Sequence, residues 1–249
     1  MKAAWLVIFV VGCGPTYIDA VGLAPTTLEE GLVAHWTFDQ TDGPTLEDDS
    51  VNRRNGTISG ATFRTDGRFG SALHFGFGDS VTVENFPHAM PNAMSSWSFS
   101  AWLRINNEDM PSGDFGTVIS TELMQEGGWQ FQTRSRSSEI YWTFAYWIGP
   151  GLNWAHHECV CLELGRWSHA TVVVDGPNNR LTFYVDGKPA NSDLLPAPIR
   201  PGSSSLYMGK WMGAGRPFSG SIDDVAIYHR ALSPAEVTEL DMRPPPRPR

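Results

Sequence analysis

The sequence has few charged residues and few cysteines. Charged residues make up 18% of the 249 positions, cysteine occurs three times, and the formal net charge is −9 without any basic stripe. Nucleic acid and an anionic membrane surface are therefore not expected as partners. The apolar run from Ala3 to Val11 contains nine residues, whereas a membrane-spanning helix needs about 20. With 41% hydrophobic residues, the chain is predicted to form one large globular domain and not to be disordered.

Catalytic motifs are also missing from the sequence. A retaining glycosidase places two carboxyl groups about 5 Å apart. Glu122 and Glu126 are four positions apart and Glu158 and Glu163 are five apart, so neither pair projects from one face of a strand. The sequence contains no Gly-x-Ser-x-Gly and no His-Glu-x-x-His motif. We therefore expect a function other than catalysis.

The N-terminal segment predicts export. Lys2 precedes the apolar run, which ends in Val10-Val11-Gly12-Cys13, the layout of an export signal. These four residues resemble the lipobox of bacterial lipoproteins, and the resemblance implies cleavage before Cys13 and acylation of that cysteine. Residues 1–12 are then a signal peptide and residues 13–30 an acylated tether, and the lipid is the only membrane contact. An ordinary secretory signal with an incidental cysteine is the alternative. Gly14 in place of an Asp implies, by the same resemblance, the outer membrane or cell surface of a bacterial envelope.

Apolar residues in the body of the chain alternate with period two. From Ser98 to Ile105 every second residue is apolar, which predicts a half-buried strand. The segments 170–174 and 181–185 flank a Gly-Pro-Asn-Asn turn and predict a hairpin. Ser233-Pro234-Ala235-Glu236 has the pattern of a helix N-terminus. The chain is thus predicted to be an all-β protein, a two-sheet antiparallel sandwich with one short C-terminal helix, over residues 31–242. The Pro/Arg-rich residues 243–249 are predicted to be a disordered tail.

Several stretches resemble, in order along the chain, the LamG-like jelly-roll family, whose relatives include laminin G domains, pentraxins and concanavalin A-like lectins. The stretches are Gly31–Asp39, Asn55–Thr57, Gly70–Phe75, Ser98–Leu103, Arg166–His169, Phe183–Gly187 and Gly220–Ser233. The resemblance implies a jelly-roll fold but leaves the function open, because such sandwiches include lectins, enzymes and adhesion modules. His169 and Arg230 match family positions, and both are expected to have structural roles in the fold.

Three functions are compatible with this resemblance. The leading hypothesis is an envelope lipoprotein whose LamG-like module binds a carbohydrate or a cell-surface protein. A glycoside hydrolase of the concanavalin A-like class is the second, and a purely structural adhesion protein is the third. The ten tryptophans bear on this choice, because indole rings stack on sugars in lectin sites. Trp129, Trp142 and Trp211 are predicted as ligand-binding residues, with packing in the core as the alternative for each.

Asp39, Asp223 and Asp224 form the predicted metal site. Calcium takes several oxygen ligands at once, and in the resembled family an Asp after the first strand and an Asp pair near the last strand can lie close together. The three carboxylates would then share one structural Ca²⁺. The alternative is that Asp223 pairs with an arginine or accepts a hydrogen bond from a backbone amide.

Cys159 and Cys161 are two residues apart. An exported protein ordinarily oxidises such a pair, although cysteines at positions i and i+2 of an extended strand lie at the edge of disulfide geometry, with Cα atoms about 6.5–7 Å apart. A Cys159–Cys161 disulfide therefore requires a local turn. Two thiols, or a zinc ion bound with His156 or His157, are the alternatives.

Overall fold

The computed structural model describes residues 28–86, 96–106, 115–121, 127–136, 139–149, 153–199, 202, 205–211 and 215–242. The predicted signal peptide, Cys13, most of the predicted tether and the tail after Met242 lie outside these residues. Among the described residues, no helix is both long enough and apolar enough to cross a membrane.

Two antiparallel sheets form a sandwich. The first sheet has the order β14-β13-β12-β7-β16-β5-β4, and β1 also pairs with β16. Its strands are β1 (Leu32–Trp36), β4 (Thr62–Arg64), β5 (Ala72–Phe75), β7 (Trp97–Arg104), β12 (Ser168–Asp175), β13 (Arg180–Val185), β14 (Lys188–Leu194) and β16 (Gly220–Tyr228). The predicted all-β sandwich with one short helix is confirmed.

The second sheet has the order β11-β10-β9-β8-β15-β6-β3-β2. Its strands are β2 (Thr45–Leu46), β3 (Gly56–Ser59), β6 (Ser80–Val83), β8 (Phe115–Ser120), β9 (Trp129–Arg136), β10 (Glu139–Gly149), β11 (Asn153–Leu162) and β15 (Leu206–Met208). Four consecutive strands, β8 to β11, lie side by side at one end of this sheet.

The space between the sheets is filled by an aromatic core. Trp97 of the first sheet lies 5.1 Å from Trp129 of the second, and Phe99 lies 4.6 Å from Phe131, measured between ring centroids. Aromatic pairs at such distances add about 0.5–1.5 kcal/mol each beyond the area that they bury. On β7, Trp97, Phe99, Ala101 and Leu103 all belong to this core. The remaining residues of β7 face away from it, because side chains alternate along a strand.

The C-terminal helix α1 (Pro234–Met242) covers part of the outer side of the first sheet. Ser233 and Glu236 form the predicted capping box, because the Glu236 N–H donates to Ser233 Oγ at 3.3 Å and the Ser233 N–H donates to Glu236 Oε2 at 2.8 Å. Arg230 donates to both Glu236 oxygens at 2.7 and 3.0 Å. The helix then packs Val237 and Leu240 into a small second hydrophobic cluster on that side.

Candidate functional site

The outer side of β8 to β11 carries a row of polar side chains. Thr117 of β8 pairs with Gln132 of β9, Gln132 pairs with Thr143 of β10, and Thr143 pairs with Glu158 of β11. Partners in an antiparallel register project to the same face of a sheet. The four side chains therefore form one line across four strands, and we call this surface, including the neighbouring Gln130, the polar face.

The local sequence of β9 explains why the row faces outward. Trp129 and Phe131 alternate with Gln130 and Gln132, and both aromatic residues belong to the core between the sheets. Period-two alternation then places both glutamines on the opposite side. The core thus selects one set of side chains, and the polar set is left for the outer face.

Three atoms of the polar row lack hydrogen-bond partners. Gln132 Nε2 donates to Gln130 Oε1, but Gln132 Oε1, Thr117 Oγ1 and Thr143 Oγ1 have no partner within the described part of the chain. Thr117, Gln132 and Thr143 are each 0% exposed. A buried hydroxyl or amide without a hydrogen bond destabilises the fold by about 1–3 kcal/mol in mutational data. The row is therefore a set of aligned, desolvated hydrogen-bonding groups.

Aromatic and cationic side chains form a rim around the row. Phe115 lies between two guanidinium groups, with Arg134 at 4.7 Å and Arg216 at 4.9 Å from its ring centroid. Arg216 also lies 5.6 Å from the ring of Trp211, and Arg134 forms an ion pair of 2.6 Å with Glu158. Since the row itself is 0% exposed, a ligand reaches it only after the groups that cover the row have moved.

Electrostatics at the rim are dominated by the two arginines. The exposed side chain of His156 lies 6.2 Å from Phe115. Partial desolvation, together with Arg216 and Arg134, lowers the pKa of His156. At neutral pH the imidazole therefore stays uncharged, and it can donate and accept hydrogen bonds.

Of the three predicted ligand-binding tryptophans, only Trp211 lies at this surface, where it is half-buried. Trp129 and Trp142 are 0% exposed and belong to the core, and the ring centroid of Trp142 lies 4.4 Å from that of Phe131. Their assignment to a binding face is corrected, because the aromatic set of β9 and β10 faces inward and no face of either indole is open to a ligand.

Sequence reasoning missed the residues that make up the polar face, including Thr117, Gln132 and Thr143. The signal was the alternation itself, since a strand whose one face is aromatic must present its intervening Thr and Gln residues on the other. The contribution of Arg216 had no comparable signal, because its stacking on Phe115 joins residues that are far apart in the sequence.

The three predicted calcium ligands have separate partners. Asp39 Oδ1 accepts from the Ser71 N–H at 3.1 Å, and Asp224 Oδ1 lies 2.6 Å from His35 Nε2. Asp223 Oδ2 accepts from the Phe69 N–H at 2.9 Å, as the alternative prediction had it. Within the described ranges, no three His, Cys, Asp or Glu side chains converge on a point that could hold a metal. The predicted calcium set therefore does not form there.

Asp223 has an unusual environment. It is 0% exposed, and its Oδ1 has no hydrogen-bond partner among the described residues. Burial raises the pKa of Asp223 to about 8, against the opposing hydrogen bond from the Phe69 N–H. The carboxyl group is therefore largely protonated at neutral pH when no cation is bound.

The predicted Cys159–Cys161 disulfide remains a prediction. Cys159 is buried in the core at 5% exposure, while the side chain of Cys161 lies outside the described part of the structure. Tyr141 of β10 pairs with Cys161 of β11, and Thr143 pairs with Glu158. The segment of β11 between these two pairs is therefore one residue longer than the segment of β10. This β-bulge supplies the kind of local irregularity that such a pairing requires.

Comparison with known proteins matches residues 75–238 to the family model of the concanavalin A-like lectin/glucanases superfamily. The chain belongs to this superfamily. The match begins at the end of β5 and runs into α1, so it includes all of β8 to β11 and the polar face.

Similar solved structures include domain 4 of an extracellular arabinanase from Geobacillus stearothermophilus, in complex with arabinotriose. It has 21% identity and a TM-score of 0.63, and the match covers 84% of this chain and 98% of that domain. The botulinum neurotoxin serotype D binding domain has 14% identity and a TM-score of 0.66, with 87% and 53% covered. The binding domain of Paraclostridial Mosquitocidal Protein 1 has 18% identity and a TM-score of 0.61, with 86% and 52% covered. The chain spans about half of the length of each toxin domain. At sequence identities of 14–21%, the structural similarity establishes the fold alone.

Proposed function

We propose that this protein is a binding module for a carbohydrate and that the ligand binds on the polar face. The observation that carries the proposal is the row of Thr117, Gln132 and Thr143, whose buried polar atoms lack partners within the described residues. Sugar hydroxyls both donate and accept hydrogen bonds, and threonine hydroxyls and the glutamine amide have the same dual capacity. A ligand with several adjacent hydroxyls matches such a row.

The rim supports the same ligand class. Trp211 and Phe115 supply aromatic surface beside the row, and sugars stack their apolar faces on such rings. Arg216 lies over both rings and must move aside when a sugar stacks on them. Binding is therefore expected to couple to a rearrangement of this side chain.

The similar structures are consistent with a binding role. One was solved with arabinotriose, and the two toxin domains are described as binding domains. A protein ligand is the other partner that such relatives suggest, and it would contact the exposed rim and not the buried row.

A glycan array on the full chain tests the proposal, followed by calorimetric titration of the best ligand. Trp211→Ala and Thr143→Val are each expected to weaken binding by about fivefold or more, because each removes one ligand contact. Thr171→Val is the matched control, since Thr171 is equally buried but lies on the first sheet. The proposal fails if the folded protein binds no glycan, or if Thr143→Val binds as the wild type does. Release of reducing ends from a bound glycan would favour the hydrolase instead.

We propose further, from the sequence around Cys13, that the module is anchored to a bacterial envelope by lipid. The test is metabolic labelling with an alkyne fatty acid in a bacterial host. Label is expected on the wild-type chain and not on Cys13→Ala, and equal labelling of both chains would refute the anchor.

A further inference from the structure

A second site lies on the opposite side of the molecule, on the outer face of the first sheet. A pocket of about 360 Å³ is lined by Arg68, Trp102, Arg166, Trp167, Asp186 and Asp241. Trp102 comes from β7, Asp241 from the last turn of α1, and Asp186 from the turn between β13 and β14. The volume falls within the range of about 300–1,000 Å³ that is typical of small-molecule pockets.

Arg68 is a cation held in place by aromatic rings in this pocket. Its guanidinium carbon lies 4.4 Å from the Trp102 ring and 5.1 Å from the Phe69 ring, and Phe69 is held through its backbone N–H by Asp223. Arg104, Arg166 and Arg230 each have a carboxylate partner, whereas Arg68 forms no ion pair with any described residue. A stacked guanidinium is preorganised to bind a carboxylate through two parallel hydrogen bonds.

Asp241 is an acceptor on the facing wall. No hydrogen bond reaches its carboxylate from the described residues, and His169 Nδ1 lies 3.7 Å from its Oδ1. Burial and the carboxylate of Asp186 raise the pKa of Asp241. An acid in the last turn of a helix is also opposed by the helix dipole. Asp241 thus has an electrostatically unfavourable position at the end of the helix, which the charges of Arg68, Lys188 and Arg166 offset only in part.

Asp186 and Arg166 are already occupied by each other. Asp186 accepts from the His169 N–H at 3.0 Å and from Arg166 Nη2 at 2.7 Å. The available groups are therefore one cation, Arg68, and one acceptor, Asp241, beside the half-buried indole of Trp167.

We infer that this pocket binds an acidic sugar residue, with the carboxylate on Arg68, a hydroxyl donating to Asp241, and the ring against Trp167. A single negative charge fits because Arg68 is the one cation of the pocket lining without a carboxylate partner among the described residues, and a dianion would be repelled by Asp186 and Asp241. The site is separate from the polar face, so neither proposal depends on the other.

Binding of sodium galacturonate to the full chain, measured by calorimetry or ligand-detected NMR, tests this inference. Arg68→Gln is expected to weaken binding about tenfold or more, since charge-assisted hydrogen bonds are the strong ones. Arg64→Gln is the matched control, because Arg64 is an exposed arginine nearby on β4 that does not line the pocket, and it should bind as the wild type does. Galactose, the neutral analogue, is expected to bind at least about tenfold more weakly. Thr143→Val should leave galacturonate binding unchanged.

Asp241→Ala separates the hydroxyl contact from simple charge attraction. Removal of a negative charge should strengthen the binding of any anion, whereas loss of the hydroxyl acceptor weakens the binding of a uronate several-fold. The inference is overturned if the wild-type protein does not bind galacturonate, or if Arg64→Gln loses as much affinity for galacturonate as Arg68→Gln. It is also overturned if Asp241→Ala binds galacturonate more tightly than the wild type does. Equal binding of inorganic phosphate or of glycine would also overturn it, in favour of a general anion or zwitterion site.

Discussion

Replacement of Thr143 by valine is expected to stabilise the protein. The Thr143 hydroxyl is buried at 0% exposure without a partner in the described chain, so the folded state carries a desolvated polar group that water satisfies in the unfolded state. Such a group costs about 1–3 kcal/mol. Valine keeps the branched shape and replaces the hydroxyl with a methyl group, and it is favoured in strands. We expect the free energy of unfolding to rise by about 1 kcal/mol, which raises the melting temperature by about 2–4 °C in a domain of this size.

Thr171→Val makes the same chemical change at a satisfied position. Thr171 is also 0% exposed and in a central strand, but its hydroxyl donates to Ser100 Oγ at 3.2 Å. Loss of this bond is expected to lower the free energy of unfolding by about 1 kcal/mol. Urea unfolding followed by tryptophan fluorescence, on both variants under one set of conditions, gives the two values.

The sign of the difference decides the argument. If Thr143→Val is as destabilising as Thr171→Val, the Thr143 hydroxyl is satisfied in solution, and the polar row does not hold unmet hydrogen-bonding groups. If Thr143→Val is stabilised and also loses glycan affinity, the row is a binding feature that the fold maintains at a loss of stability.

Three other results follow from the structure. Burial raises the pKa of Asp223 to about 8, so the folded state holds a proton that the unfolded chain releases. The free energy of unfolding should therefore fall as pH rises from about 4 to 8. Urea titrations at several pH values measure this slope, and Asp223→Asn should reduce it. Gly70→Ala should lower the free energy of unfolding by about 1–3 kcal/mol in the same assay, since Gly70 has φ +80° and an added Cβ would lie 2.1 Å from Asp39 Oδ1. An unchanged urea midpoint would mean that the backbone at Gly70 is not left-handed in solution. Trp211→Ala should leave stability nearly unchanged while weakening glycan binding, and a large stability loss would place Trp211 in the core.

Much of the fold could be predicted from the sequence, because strands with one face in the core alternate clearly. The strand predicted from Ser98 to Ile105 is confirmed as β7 (Trp97–Arg104), and the hairpin predicted from residues 170–174 and 181–185 is confirmed as the pair of β12 and β13. β14 was not predicted. It is an edge strand with mostly exposed side chains, and such a strand has no apolar alternation to reveal it.

The candidate site could be predicted only in part. Alternation in β10 separates Trp142 and Phe144 from Thr143 and Ala145, but the sequence does not say which set faces the core. The choice depends on packing against the opposite sheet, where Trp97 and Phe99 require aromatic partners. The pocket near Arg68 was beyond reach for the same reason, since its residues come together only through the tertiary fold.

The place of the binding chemistry follows from how a two-sheet sandwich divides its side chains. The inward positions of both sheets are occupied by one apolar core, so binding groups must stand on outward positions. On the first sheet, α1 covers outward apolar residues such as Tyr228 with Val237 and Leu240. On β8 to β11 the outward residues of the row are Thr and Gln, which form no such cluster. Because a buried polar row stabilises nothing until it is hydrogen-bonded, we expect the proposed ligand to supply the partners that the described residues do not, and stability and binding should change in opposite directions when the row is made apolar.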